Sequence, residues 1–268
     1  LPRGVDYRGR YQPETWAWDG ARWSMRATTG PSPRTGHRMA YDSARGVIVL
    51  FGGSGSQGRN SETWEWDGAT WTLRTTTGPA PRTKHGMAYD AYRGVTVLFG
   101  GVDSAPFGDT WEWNGTEWSL RAQDGPPPTS AGSMAYPAGR KVTTLIGPPD
   151  QGGMTWEWDG NAWIWVAADG PMNAAFGAAA FDADRGIVLY VTGGGYLPHS
   201  AQTWEWNGNT WTLATPQHDP RQPSARADHA MAYDRFRDAT VMFGGGHTCN
   251  NSSCNRGEYR YIKGDTWE

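Results

Sequence analysis

The chain has 268 residues, a formal net charge of −3 and a pI near 6.1, so no basic surplus points to nucleic acid or an anionic membrane surface as partner. Its 17 Trp, 37 Gly and 18 Pro stand beside a mean hydropathy of −0.68, which calls for an aromatic rather than an aliphatic core. No apolar run reaches the roughly 18 residues of a membrane span, and Leu1-Pro-Arg-Gly has no apolar signal-peptide stretch, so an exported protein would be in its processed form here.

The first recurring segment is Thr15-Trp-Ala-Trp-Asp-Gly-Ala-Arg-Trp23. It returns as Thr63 to Trp71, Thr110 to Trp118, Thr155 to Trp163 and Thr203 to Trp211, and a further copy starts at Thr266. The first Trp of each copy is at 16, 64, 111, 156, 204 and 267, a step near 47 until the last, which is 63. All Trp except Trp165 fall in these copies, so the chain is a tandem array.

A second block lies between the Trp segments. It reads Pro33-Arg-Thr-Gly-His-Arg-Met-Ala-Tyr-Asp42 and then Gly46-Val-Ile-Val-Leu-Phe-Gly-Gly53. It returns from Pro81 to Gly101, in degraded form from Thr129 to Gly147 and from Ala174 to Gly194, and again from Ala225 to Gly245.

Each repeat predicts four strands. Strand a, His37 to Asp42, ends in the turn Ser43-Ala-Arg-Gly46. Strand b, Val47 to Phe51, is apolar throughout, as a strand buried on both faces is. Strand c, Thr63 to Trp66, puts its two Trp on one face and Glu65 on the other. Asp67-Gly68 reads as a two-residue hairpin into strand d, Thr70 to Arg74, and Gly78-Pro79 marks the loop to the next repeat. The first Trp of each pair, Trp64, Trp111, Trp156 and Trp204, is expected to be buried between neighbouring sheets.

Four-stranded antiparallel units repeated at this period are the signature of propeller blades. The Gly-Gly doublet after strand b, the aromatic on strand c and the Trp after the turn together resemble the kelch repeat, over almost the whole chain. The resemblance implies an all-β, kelch-type β-propeller in a single domain from 1 to 268. It says little about activity, because kelch propellers include protein-interaction domains, sugar-binding proteins and oxidases. Complete blades start at His37, His85, Gly132 and Gly177; a fifth is expected from strands a and b at His229 and Ala239 joined by strands c and d at Thr15 and Ala21. In that ring Thr15–Trp18 shares a sheet with Val241–Phe243, and Thr266-Trp-Glu268 is left over. The alternative is part of a six- or seven-bladed propeller.

The a–b and c–d turns are short and uniform, whereas the b–c and d–a loops at the other end are long and varied, which makes that end the binding face. All six His fall there: His37, His85 and His229 ahead of strand a, and His199, His218 and His247 in loops. In kelch propellers strand a is innermost, so the first three would approach a central channel. Two readings of them stand side by side: a metal or polar-ligand site at the channel mouth, or a repeat residue that bonds the neighbouring blade. The cofactor that this brings into view is a divalent metal. Arg34, Arg82 and Arg226, each three residues before its His, are candidates for an anionic or sugar ligand, or else pair with loop carbonyls and carboxylates. Tyr196, Phe107, Tyr259 and Tyr261 are candidates for stacking against a sugar, and His247 is a further ligand-binding candidate. Cys249 and Cys254, close together in a polar loop, fit a small disulfide and an extracellular or secreted setting, or two free thiols.

The expected function is a non-catalytic binding propeller for a glycan or a protein segment, with neither nucleic acid nor membrane insertion. A metal-dependent enzyme on the same ring and an assembly protein are the alternatives. The copper oxidases of this fold need a Cys cross-linked to a Tyr beside two His, and both cysteines here sit in one loop.

Overall fold

The computed structural model describes residues 13–130, 132–147, 153–171, 177–192, 201–215, 223–224, 226–248 and 260–268. These residues are antiparallel strands and turns, with one short 3-10 turn at Ala138–Arg140. The fold is an all-β propeller of five blades, four of them complete four-stranded sheets. The chain divides into two compact units, Leu1–Gly132 with Trp158–Trp163, and Ser133–Glu157 with Ile164–Glu268.

The first unit opens with a separate two-stranded sheet, β1 (Thr15–Trp18) and β2 (Trp23–Ala27). The first blade follows with β3 (Arg38–Asp42) and β4 (Val47–Phe51), a loop ribbon of β5 (Ser54–Gly55) and β6 (Gly58–Arg59), then β7 (Thr63–Trp66) and β8 (Trp71–Thr75). The second blade is β9 (Gly86–Asp90), β10 (Val95–Phe99), β11 (Thr110–Trp113) and β12 (Trp118–Ala122). The third is β13 (Ser133–Ala135), β14 (Thr143–Ile146), β15 (Thr155–Trp158) and β16 (Trp163–Ala167); its c–d turn belongs to the first unit and the rest to the second. The second unit continues with β17 (Ala178–Asp182), β18 (Ile187–Val191), β19 (Thr203–Trp206) and β20 (Trp211–Leu213). The fifth blade has β21 (Ala230–Asp234), β22 (Ala239–Phe243), the ribbon of β23 (Gly246–Thr248) and β24 (Arg260–Ile262), and β25 (Thr266–Trp267).

One expectation is corrected here. Thr15–Trp18 does not share a sheet with Val241–Phe243: β22 pairs with β25, Met242 opposite Trp267 and Phe243 opposite Thr266, while β1 pairs only with β2 among the described strands. The short segment left over in the sequence is strand c of its own blade. It starts with the same Thr-Trp as every other strand c, and Asp265 ahead of it holds Arg226 of that blade. Local repeat geometry therefore supplies strand c where a distant N-terminal strand was expected.

The repeated residues explain the repeated elements. In β4, Val49, Leu50 and Phe51 are fully buried, as the unbroken apolar run requires. Asp42 builds the a–b turn: its Oδ1 accepts from the backbone N–H of Ala44 and Arg45, and its Oδ2 from Arg45 Nε at 2.7 Å. The c–d connection is wider than a two-residue hairpin. Trp66 pairs with Trp71, and Asp67 Oδ1 caps the four intervening residues by accepting from the N–H of Ala69 and Thr70. An Asx turn has taken the place of a tight hairpin turn because the Asp side chain bonds its own backbone.

Successive repeats are joined by Trp, but by a different one from that expected. Trp66, Trp113, Trp158 and Trp206, the second of each pair, are buried, whereas Trp64, Trp111, Trp156 and Trp204 are only partly so. The first Trp is opposite an exposed strand-d residue: Trp64 faces Leu73 and Trp111 faces Leu120. The indoles of Trp113 and Trp158 donate to Glu65 and Glu112 of the preceding blade. The Trp that opens strand d makes a second tie: Trp71, Trp118, Trp163 and Trp211 donate, each at 2.8 Å, to the hydroxyls of Thr15, Thr63, Thr110 and Thr155. The d–a loop glycines lie beneath the same rings. A Cβ on Gly78, at φ +129, would stand 2.6 Å from Trp118 Cδ1.

Candidate functional site

The candidate residues lie ahead of the strands a of their own blades, and the arginines come first. Arg34, Arg82 and Arg226 are fully buried. Arg82 Nε donates to Ala80 O, Nη1 to Gly100 O, and the guanidinium forks onto Asp109 with 2.6 and 2.9 Å bonds. Arg226 repeats this with Ser224 O, Gly244 O and a fork onto Asp265. Arg34 does so with Ser32 O, Gly52 O and Glu62. The ring of Phe107 lies over the Arg82 guanidinium, 3.9 Å from Cζ to centroid. These guanidiniums are spent on their own blades, where each locks the d–a loop to the b–c loop. Of the two readings of Arg34, Arg82 and Arg226, the pairing with carbonyls and carboxylates is the one present in the structure.

Sequence reasoning missed the acids, although a signal was present. Glu62, Asp109 and Asp265 each stand two residues before the first Trp of strand c, and that Trp donates its indole N–H to the same carboxylate. In the third and fourth blades the position holds Met154 and Gln202, and the arginine position holds Thr129 and Ala174. Arginine and acid come and go together within one chain, because a buried guanidinium without a carboxylate is costly. The Arg side holds each acid in its charged form: burial opposes ionisation of Glu62 and Asp109, but hydrogen bonds from Arg and Trp together keep both carboxyls below their usual values. Asp265 is held well below its usual value, first by Arg226.

The histidines fill the layer beside these clamps. Each packs under the second glycine of its blade's doublet, where a Cβ would be 2.9 Å from the Cβ of His37 or His85 and 3.1 Å from that of His229. Gly52, the first of its doublet, makes room for the next blade: a Cβ there would meet Arg82 O at 2.6 Å and His85 Cε1 at 3.1 Å. His85 is completely buried, edge-on to Phe51, and neither ring nitrogen has a hydrogen-bond partner among the described residues. Burial, followed by the charges of Arg38, Arg82 and His37, drives its pKa well below the ordinary imidazole value. His37 is partly exposed, and burial, followed by Arg34 and Arg38, lowers its pKa from 6.5 to about 3. Both imidazoles are neutral at physiological pH.

Among the described residues no group of three or more His, Cys, Asp or Glu side chains is arranged to hold a metal ion. His37 and His85 belong to the first unit and His229 to the second, and each lies against the second glycine of its own blade's doublet. His247 is on β23, paired in register with Tyr261 of β24, in the long b–c loop of the fifth blade. Tyr196, Tyr259, His199, His218, Cys249 and Cys254 lie outside the described residues.

Away from the loop face, one blade departs from its sisters. Strand d of the third blade is Trp163-Ile-Trp-Val-Ala167, where others carry Thr72 and Arg74 or Ser119 and Arg121. Ile164 and Trp165 are 52% and 57% exposed. Trp165 stacks on Trp156 with ring centroids 6.4 Å apart, and its own N–H is taken by Ala167 O.

No family model matches the chain, and no curated protein does. Among solved structures it is similar to that of YjhT, with a TM-score of 0.65 over 96% of this chain and 93% of that one, at 15% sequence identity. At such identity the likeness is one of fold.

Proposed function

We propose that the protein is a non-catalytic, ligand-binding propeller of the kelch type that takes a carbohydrate or a protein segment on the face of the b–c and d–a loops. The observation that carries this reading is the pair of neutral imidazoles at that face, His37 partly exposed and His85 behind it with unmet hydrogen-bonding capacity. A neutral imidazole offers one N–H and one lone pair. A hydroxyl or an amide on a ligand meets both, whereas an ion meets only one of them. Arg38 opens β3 next to His37 and adds a cation at the same level. The clamps of Arg34 and Arg82 hold the loops around these rings in place, which lowers the ordering cost of binding.

Chemistry of the acid–base or nucleophilic kind is less well supported. The buried carboxylates near this face are tied to arginines, and both imidazoles are held neutral. The test is a glycan-array screen with the full chain, alongside a display library of short peptides. Hits are expected to weaken strongly in His37→Ala and Arg38→Ala while far-UV CD is unchanged. Absence of hits on both screens, or hits that both variants keep, would refute the reading.

A further inference from the structure

Strand d of the third blade is an unguarded sheet edge. β16 stands last in the order β13-β14-β15-β16, so no described strand lies along its outer side. Edge strands of native proteins carry charged side chains that discourage pairing with another chain. Other strands d of this repeat do so: Arg26, Arg74 and Arg121 hold the fourth position of β2, β8 and β12, after a hydroxyl residue at the second. β20 has no such arginine but keeps the hydroxyl, Thr212. β16 has neither, with Ile164 at the second position and Val166 at the fourth, and residues 161–168 hold no charged side chain.

The exchange has a local basis. In the first two blades the strand-d arginine reaches the glutamate of strand c, Arg74 to Glu65 at 3.4 Å and Arg121 to Glu112 at 3.2 Å. The turn arginines of those blades, Arg45 and Arg93, spend Nε on Asp42 and Asp90 and give the glutamate only Nη1. The third blade has Pro137 in place of that Asp, and Arg140 takes Glu157 with both Nε and Nη2, at 3.1 and 2.8 Å. Glu157 therefore needs no arginine from strand d, and Val166 packs against the core cluster that holds Ile146 and Val188. Ile164 and Trp165 are left more than half exposed. Trp165 is set for an apolar contact. Its stack on Trp156 orders the ring before anything binds, and its N–H donates to Ala167 O at 2.8 Å, so covering the ring strands no donor. A sugar would draw on that N–H, whereas another apolar edge does not.

We propose that β16 is the contact through which two copies of the chain associate, edge to edge and antiparallel about a two-fold axis. Such an interface sets a strand against itself, so any charge near the axis meets its own copy. With Trp165 at the axis, Ile164 of one copy stands opposite Val166 of the other, and Trp163 opposite Ala167, an apolar pair at every position. The same pairing of β8 about Leu73 would set an Arg74 on either side of the axis. The net charge of −3 opposes association only weakly. Paired edges of this length cover roughly 600–1,000 Å² in all, short of a permanent dimer, so the association is reversible and depends on concentration. The contact is at the outer edge of a blade and stands apart from the ligand reading of the loop face.

Sedimentation equilibrium of the full chain, from about 1 to about 200 μM, reads the association directly, and a monomer–dimer midpoint in the tens of micromolar is expected for so small a contact. The double substitution Ile164→Thr with Trp165→Leu installs what β8 carries as Thr72 and Leu73, residues that this repeat already folds in strand d. It should weaken the dimer at least about tenfold, since the buried Trp is the anchor of the contact. Ile164→Lys, which leaves Trp165 on Trp156, places a cation on each side of the axis and should abolish association. Far-UV CD shows that each variant is folded, and either one alone suffices if the other is not. A parent chain that stays monomeric at the highest concentration overturns the proposal, and so does a dimer that a folded variant keeps at parental strength.

Discussion

Asp109→Asn tests the clamp logic on which the loop face rests. The substitution keeps shape and removes charge. Arg82 stays buried, still bonded to Ala80 O and Gly100 O, but it loses the two carboxylate bonds of 2.6 and 2.9 Å. Breaking one side of a buried pair costs about 3–5 kcal/mol. The Asp109 side chain is 18% exposed, so solvent relieves part of this and the low end, about 3 kcal/mol, is expected. The informative companion is Arg82→Thr with Asp109→Met, the pair that the third blade carries as Thr129 and Met154. With the charge gone from both sides, the double variant should recover to within about 1–2 kcal/mol of the parent, the remainder being the Trp111 indole N–H left without its carboxylate. Urea unfolding followed by tryptophan fluorescence, on both singles and the double, gives the coupling energy. Strict additivity, with coupling below about 0.5 kcal/mol, would show that arginine and acid do not act as a unit and would refute the reasoning.

The remaining expectations are more local. Trp113→Ala should cost about 3–5 kcal/mol, and Trp111→Ala distinctly less, because the second Trp of the pair fills the core; urea midpoints decide the order. Gly78→Ala should destabilise by about 1–3 kcal/mol through collision with the Trp118 ring, measured by thermal unfolding, and an unchanged midpoint would mean that the seam is loose. Stability should fall as pH drops below the ordinary imidazole value of 6.5 toward about 3, since unfolding lets His37 take up a proton that the fold refuses. Each such histidine contributes up to about 1.4 kcal/mol per pH unit. His37→Gln should flatten the slope of urea midpoint against pH between 6.5 and 5, above the range where carboxylates titrate. Thiol labelling of the unreduced chain decides between the two readings of Cys249 and Cys254: blocked thiols support the disulfide, and reaction of both without reductant supports the free pair.

The blade pattern was legible in the sequence because the repeat carries it at several levels. Strand b reads as buried from its apolar run, and strand c from its Thr-Trp start. The seams were less legible. Trp64 and Trp66 are equally good core residues by composition and lie on the same side of the strand, so periodicity cannot rank them. Pairing decides: Trp64 is opposite Leu73 beside the exposed strand d, and Trp66 is opposite Trp71, whose indole reaches Thr15 in the preceding repeat. Closure was misjudged for a related reason. Thr266-Trp267 is recognisable as a further copy of the strand-c segment, but the preceding step of 63 residues hides which strand b it joins, and the pairing of Met242 with Trp267 places it in the fifth blade. Tyr196, Cys249 and Cys254, on which part of the site reading rested, lie outside the described residues.

The departures of the third and fourth blades from the repeat carry a different meaning once the clamp is known. Thr129 and Ala174 in place of Arg, and Gly132 and Gly177 in place of His, looked like the absence of a ligand-binding set. The Arg half of that set is now tied to the acid half at Met154 and Gln202, so it reports on how a blade locks its loops. The histidine half has no such covarying partner: the glycine over which each His packs, Gly53, Gly101 or Gly245, is needed to admit its Cβ, yet neither His85 nitrogen is bonded to anything that the glycines or the clamp supply. A side chain chosen only to fill that space would more cheaply be apolar, since an unpaired buried polar group costs about 1–3 kcal/mol. The imidazole is therefore the part of the repeat that packing alone does not explain, and His85→Leu makes the distinction. If the ring is there for packing, the variant should be as stable as the parent or more so, with ligand binding intact; if it serves a hydroxyl-bearing ligand, stability should rise and binding should fall together.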